Sequence, residues 1–289
     1  MPLFNVILIP FLIAMFLAIN MGGSGTGPSF SVAYGANIVR RSAIPGLYGV
    51  MVFFGALIAG EETSNTLGKG LINPELMTMT LTSIILFSVS ISLLIANIFG
   101  IPQSTSQSTV LAIIAPGLYF SGSGFNNKKL LLEIIPTWFI LPIIAFFLAF
   151  IIGKYIYKPL RKRGYTMSKK LNKSPILNGL ILLGSLYVAF SIGANNVANA
   201  VGPITSMTLN QFGVVKNDHS YQVIMLLSIL MIAPLFGIGS SIFGYRVVQK
   251  TGKGIVQFGK IEAVIIAFIS ASLLLFASIW KGIPTSLVQ

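Results

Sequence analysis

Long apolar runs separated by short polar stretches make up most of the chain. The clearest span residues 3–19, 43–59, 78–99, 130–152, 176–190, 224–242 and 261–280. About 20 apolar residues in helical form cross a bilayer. These rows of Leu, Ile and Phe lack the polar face of a soluble helix and the alternation of a barrel strand. The pattern predicts membrane-spanning helices in an all-α polytopic membrane protein. The first run lacks the basic flank of a signal peptide, and its motif recurs later, so it counts as a span.

Three further stretches are too polar for lipid and too apolar for an ordinary loop. They are residues 20–29, with the glycine- and serine-rich run Gly22-Gly-Ser-Gly-Thr-Gly27; residues 191–203, with Asn195, Asn196 and Asn199; and residues 101–109, which lead into an apolar segment too short to span alone. Irregular backbone at membrane depth survives only inside protein or along a wet cavity. Broken helices and re-entrant segments are therefore expected at all three.

Composition sharpens this picture. Hydrophobic residues make up 54% of the 289 and charged residues only 9%, against about 25% charged in soluble domains. The absence of cysteine removes disulfides and thiolate metal sites, and the single histidine, His219, lies in a polar stretch beside Asn217 and Asp218, as a surface group. The net charge of +13 does not indicate nucleic acid. Eight basic residues between Lys154 and Lys173 follow one another with no acid among them, and a short basic loop between spans marks the cytoplasmic side.

Two halves of the chain resemble one another. Phe16-Leu-Ala-Ile-Asn-Met-Gly22 aligns with Tyr187-Val-Ala-Phe-Ser-Ile-Gly193 at an offset of 171. Leu67-Gly-Lys-Gly-Leu-Ile72 matches Thr251-Gly-Lys-Gly-Ile-Val256 at 184, and Gly100-Ile-Pro-Gln-Ser104 matches Gly282-Ile-Pro-Thr-Ser286 at 182. Three matches in one order indicate duplication. Five crossings precede the basic loop, and an odd number turns the second copy over. The chain then divides into repeat 1 (1–153), a basic cytoplasmic loop (154–175) and repeat 2 (176–289). Fourteen of the nineteen Lys and Arg residues fall inside in this arrangement. Repeat 1 runs on from Gln107 to Ile152 whereas repeat 2 stops at Gln289, so the second copy is expected to be truncated. A cysteine introduced at Ser168 should resist impermeant thiol reagents in intact cells and react after lysis. Labelling from outside would reverse the orientation.

Inverted repeats with discontinuous helices form transporters whose substrate sits where the breaks meet. The candidate binding residues are Gly23, Ser24, Gly25, Thr26, Ser104, Thr105, Ser106, Asn195, Asn196, Asn199, Thr285 and Ser286. They are small, neutral and mostly able to donate hydrogen bonds. Helix N-termini there would add a positive dipole end, and the glycines would let bare amides approach a ligand. Glu62 and Arg246, equivalent at offset 184, are candidate coupling residues near a pseudo-two-fold axis, because ionisable groups inside a membrane are costly and usually functional.

Gly193-Ala-Asn-Asn-Val-Ala-Asn-Ala200 resembles the GANDVANA signature of the inorganic phosphate transporter (PiT) family. Ile101-Pro-Gln-Ser-Thr-Ser-Gln107 resembles its P-x-S-[ST]-T-H element. Glu62-Thr63 with Gly68-Lys-Gly70 resembles its E-T…G-K-G-I stretch, and Tyr245-Arg-Val247 the counterpart in the second repeat. The first motif is similar to the glycine- and serine-rich version in the family's sulfate-permease branch. The resemblance implies a homodimeric symporter in the cell membrane, carrying phosphate or sulfate with a proton or sodium. In the family, the Asp of each GAND motif belongs to the sodium-coupling site. Here Asn196 and the Ser24-Gly25 stretch stand at those positions, which favours proton over sodium coupling. Two other classes remain open, a passive channel and a membrane-embedded enzyme. The chain lacks HExxH, a carboxylate pair within a span and any cofactor motif, since Gly252-Lys-Gly254 lacks full P-loop spacing. Accumulation against a gradient separates a transporter from a channel.

Overall fold

A computed structural model describes residues 3–101, 103–121, 125–162, 174–213, 218–254 and 259–287. These residues are almost entirely helical, with one isolated bridge between Ile72 and Phe125. The helices are α1 (Leu3–Gly35), α2 (Ile44–Ala59), α3 (Glu61–Asn65), α4 (Met79–Phe99), α5 (Thr105–Ser121), α6 (Ile135–Ile152) and α7 (Lys158–Lys162). They continue as α8 (Pro175–Asn196), α9 (Ala198–Phe212), α10 (Asp218–Ile232), α11 (Leu235–Gly239), α12 (Tyr245–Gly254) and α13 (Lys260–Lys281). Seven continuous or nearly continuous helical stretches among them are long and apolar enough to cross a bilayer. The chain is a multi-pass integral membrane protein.

One predicted break is absent. α1 runs unbroken for 33 residues through the glycine run, so residues 20–29 are neither irregular nor re-entrant. The glycines serve packing instead. A Cβ on Gly22 would collide with the backbone of Phe236, and one on Gly23 with the Phe243 side chain. In lipid, where apolar surface gains little from association, helices attract by such close backbone approach between small residues.

At the second predicted break the helix lapses only at Val197, whose φ of −60° and ψ of −33° stay helical, between α8 and α9. Together these helices cover 38 residues, about 57 Å at 1.5 Å per residue, nearly twice the hydrocarbon thickness. Pro203 inside α9 lacks the N–H that would bond back one turn.

The third is a tight turn that folds α5 back along α4. The α4–α5 turn begins at Gly100, whose φ of 64° is open to glycine at little cost. The far ends of the two helices meet again, for Asn126 N–H donates to the Leu71 carbonyl at 2.7 Å. The chain thus leaves α5 on the side where it entered α4. α13 repeats the opening of this hairpin: it too stops at a left-handed glycine, Gly282 (φ 59°), followed by Ile and Pro.

Two interruptions of similar form occur at positions that the offset of 184 does not pair. α2 is interrupted at Gly60, followed by five helical residues and a π-helical turn over Thr66–Gly70. The stretch after α10 is interrupted at residues 233–234, followed by five helical residues and a π-helical turn over Ser240–Gly244. Contacts between the halves are reciprocal as well. Gly22 abuts the Phe236 backbone and Gly239 the Ile19 backbone, while Gly193 abuts Val52 and Gly55 abuts Phe190. Ile19 and Gly22 become Phe190 and Gly193 on adding 171, and Val52 and Gly55 become Phe236 and Gly239 on adding 184.

The basic segment is helical where it is described. A π-helical turn over Gly153–Tyr157 and α7 prolong α6 to Lys162, and residues 163–173 lie outside the described residues. His219 is exposed in the first turn of α10.

Candidate functional site

The tips of both turns converge on one buried side chain in the middle of the α8–α9 pair. Asn195 Nδ2 donates to Ser278 Oγ at 2.8 Å and to the Ile283 carbonyl at 3.1 Å. Its Oδ1 accepts from Ser106 Oγ–H at 3.1 Å and from Thr285 N–H at 3.2 Å. Because one partner is a carbonyl and another an amide, the orientation of the Asn195 amide is fixed. Asn199, one turn on, donates from Nδ2 to the Asn196 carbonyl at 3.0 Å and to Ser106 Oγ at 3.4 Å. Ser106 therefore relays a hydrogen bond from Asn199 to Asn195. Asn195, Asn199 and Ser106 are each 0% exposed, and Thr285 is 1% exposed.

Asn195 spends both donors and both acceptor directions on protein. It ties the two tips to α8. Asn199 Oδ1 and Thr285 Oγ1, by contrast, are buried without a hydrogen-bond partner. At the first tip Ser104 Oγ accepts from Gln107 N–H at 3.3 Å, capping α5 and leaving the amides of Thr105 and Ser106 outside that helix's own bonding. Asn196 and Ser286 are half-buried at the same junction.

The candidates from the first motif do not join this cluster. Ser24 Oγ donates to the Met21 carbonyl and Thr26 Oγ1 to the Gly22 carbonyl, at 3.1 and 2.7 Å, the back-bonding usual for hydroxyls inside helices. Gly23 faces Phe243, and Gly25 faces Tyr48 and Ile192. None of these glycines presents a bare amide, because α1 keeps its helical hydrogen bonds there.

Glu62 and Arg246 are not brought together. Arg41 lies over the Tyr245 ring, 3.5 Å from its centre, so Arg246 belongs at the start of α2 and Glu62 beyond its end. The 16 residues of α2 put about 24 Å of helix between those levels. Both side chains are exposed. Glu62 does adjoin the second tip, since Gly282 packs directly on its backbone carbonyl, and it interacts electrostatically with Lys129.

Ser278 and the Ile283 carbonyl were missed in the sequence. The available signal was a serine exactly one turn before a Gly-Ile-Pro turn in an otherwise apolar run. Also unforeseen is Asn97, whose Nδ2 donates to the Asn20 carbonyl at 2.8 Å and ties the first hairpin to the middle of α1. Among the described residues no three His, Cys, Asp or Glu side chains come together, so the junction is a site of neutral polar groups and helix ends.

Comparison with known proteins agrees with this architecture. The chain is 32% identical over 280 residues to the sulfate permease CysP of Bacillus subtilis, an alignment covering 96% of this chain and 73% of that protein. A solved structure titled the sodium-dependent phosphate transporter superposes with a TM-score of 0.81 at 22% identity, covering 98% of this chain and 86% of that one. The profile of the phosphate transporter family matches residues 21–289. On a match spanning nearly the whole chain, with both hairpin tips inside it, this protein belongs to the phosphate transporter family, a family of transporters and not of enzymes.

Proposed function

We propose that the chain carries a tetrahedral inorganic oxyanion, sulfate or phosphate, into the cell by alternating access. The observation that carries this reading is the pair of unpartnered buried groups, Thr285 Oγ1 and Asn199 Oδ1, at the junction of the tips. An unsatisfied buried polar atom costs about 1–3 kcal/mol, so such a junction is stable when something polar enters and completes it. The Thr285 hydroxyl and the free amides at the start of α5 are donors, and the helix end adds positive potential. Asn199 Oδ1 is an acceptor, suited to the proton of hydrogen phosphate or to a water beside sulfate. The sulfate permease and phosphate transporter relatives support the same class of substrate.

The two halves are read as inverted copies, repeat 1 over 1–153 and repeat 2 over 176–289, joined by a cytoplasmic basic segment. The reciprocal glycine contacts support a pseudo-two-fold relation. α1, α2 with α3, and α6 make three crossings, and the α4–α5 hairpin returns to its own side. The count per repeat is again odd, although two lower than the five expected. A homodimer belongs to the same reading and is checked by the mass of the detergent-solubilised particle.

Coupling to protons follows from the neutral residues at position 196 and at 24–25, which deprive a sodium ion of charged ligands. Glu62, against the second tip, is the titrating candidate; Arg246, at the far level, is no longer its partner. Labelled sulfate and phosphate uptake into proteoliposomes tests this, with proton and sodium gradients imposed separately. Uptake above equilibrium is expected with a pH gradient and no sodium, and Glu62→Gln should lose accumulation while keeping exchange. Equilibration without accumulation would mean a channel. Accumulation that needs sodium and ignores pH would overturn the proton reading.

A further inference from the structure

From the arginine cluster at the α1–α2 connection we infer a built site for the headgroup of an anionic phospholipid. Arg40 and Arg41 lie in that connection and Arg246 in the first turn of α12, and all three are exposed. Tyr245 brings them together. Its ring carries the Arg41 guanidinium 3.5 Å from the centroid. The ring is itself held edge-on by Tyr34, centroids 6.3 Å apart, and Gln249 Nε2 bonds its hydroxyl. A guanidinium stacked by its face keeps its N–H edges free for a phosphate.

Among the glutamates, all of whose side chains are described, none pairs with the group. Glu61 is engaged by Gln222, and Glu62 and Glu133 interact with Lys129 beyond the other end of α2. Glu75 lies in the 74–76 turn, held by Asn73 at that same end. Glu262 folds against Gly259 at the start of α13.

The height of the cluster fits a headgroup. One turn before Arg246 the surface is already apolar, with Ile242 56% exposed, and on the other side Val50 is 54% exposed within the first two turns of α2. α12 itself is amphipathic, with Val247 and Val248 buried and Arg246 and Gln249 exposed. Cations at the rim of a lipid-facing band, unpaired and pre-stacked, meet lipid phosphate where acyl chains give way to water.

The test uses the full chain in neutral detergent, with melting temperature followed while short-chain phosphatidylglycerol, phosphatidylcholine or inorganic phosphate is titrated. A saturable rise with phosphatidylglycerol alone is expected. Arg41→Gln with Arg246→Gln should move the midpoint to higher lipid concentration by about 25-fold, on the order of fivefold per cation. Arg246→Gln alone, at an exposed and unstacked position, serves if the double variant is unstable. Tyr245→Leu keeps every charge, and it too should weaken binding by several-fold, because Arg41 loses its platform. Equal shifts with phosphatidylcholine, an equal shift with inorganic phosphate, or an unchanged midpoint in Arg246→Gln would each overturn the site. An unchanged midpoint in Tyr245→Leu would reduce the cluster to diffuse attraction and overturn the built geometry.

Discussion

Asn195→Leu is expected to abolish oxyanion binding, with calorimetric heats falling to the level of buffer, while the protein still inserts in the membrane. The change removes four hydrogen bonds that tie Ser278, Ile283, Thr285 and Ser106 to one helix. At a net 0.5–1.5 kcal/mol each, the loss is about 2–6 kcal/mol, or roughly 30-fold to more than 10,000-fold in affinity if it falls wholly on the assembled site. Asn196→Ala is the control, since its side chain stands outside that network; a modest loss there beside a complete loss at Asn195 separates positioning from ligation. Unchanged affinity in Asn195→Leu would show that the tips are held by something other than this amide.

The second large effect lies in the glycine run and has a built-in rescue. Gly25→Ala should lower thermal stability sharply, because the new methyl would collide with the Tyr48 hydroxyl. Forcing a methyl into a packed core costs about 1–3 kcal/mol. That hydroxyl is buried without a partner, so Tyr48→Phe alone should be neutral or stabilising. The double variant should recover most of the loss, which a thermal melt in detergent would detect. If Gly25→Ala binds substrate poorly yet melts like the parent, the glycine serves the ligand after all and the packing account fails.

That contrast shows where sequence reasoning ran out. All seven long apolar helical stretches were legible because lipid demands apolar side chains over a fixed length, and the turn after α4 was legible because its polar residues interrupt an apolar run. The glycine run misled for a physical reason. In water such a run melts a helix; in lipid the backbone has nowhere else to bond, and the missing side chains become contact surface. The interruption at residues 233–234 was hidden inside a strongly apolar segment, where hydropathy is blind to a lost hydrogen bond. The motif asparagines were legible as polar residues within an apolar run, but not as unlike members of one network. Only geometry reveals that Asn195 is saturated by protein while Asn199 keeps a free oxygen.

α6 carries a consequence of a different kind. Only 6% of the apolar window in Lys129–Tyr157 is buried against protein, and Phe139, Phe146, Phe147 and Phe150 all point outward. Yet Trp138 Nε1 donates to the Pro284 carbonyl at 2.9 Å, fastening this lipid-immersed helix to the second tip. Any excursion of that tip must either break the bond or drag a helix sideways through acyl chains. Helix tilt answers to hydrophobic thickness at a fraction of a kcal/mol per ångström. Bilayer viscosity and thickness thus become loads on the moving part, and turnover measured in thin, fluid lipids should exceed that in thick, ordered ones even though the site is unaltered.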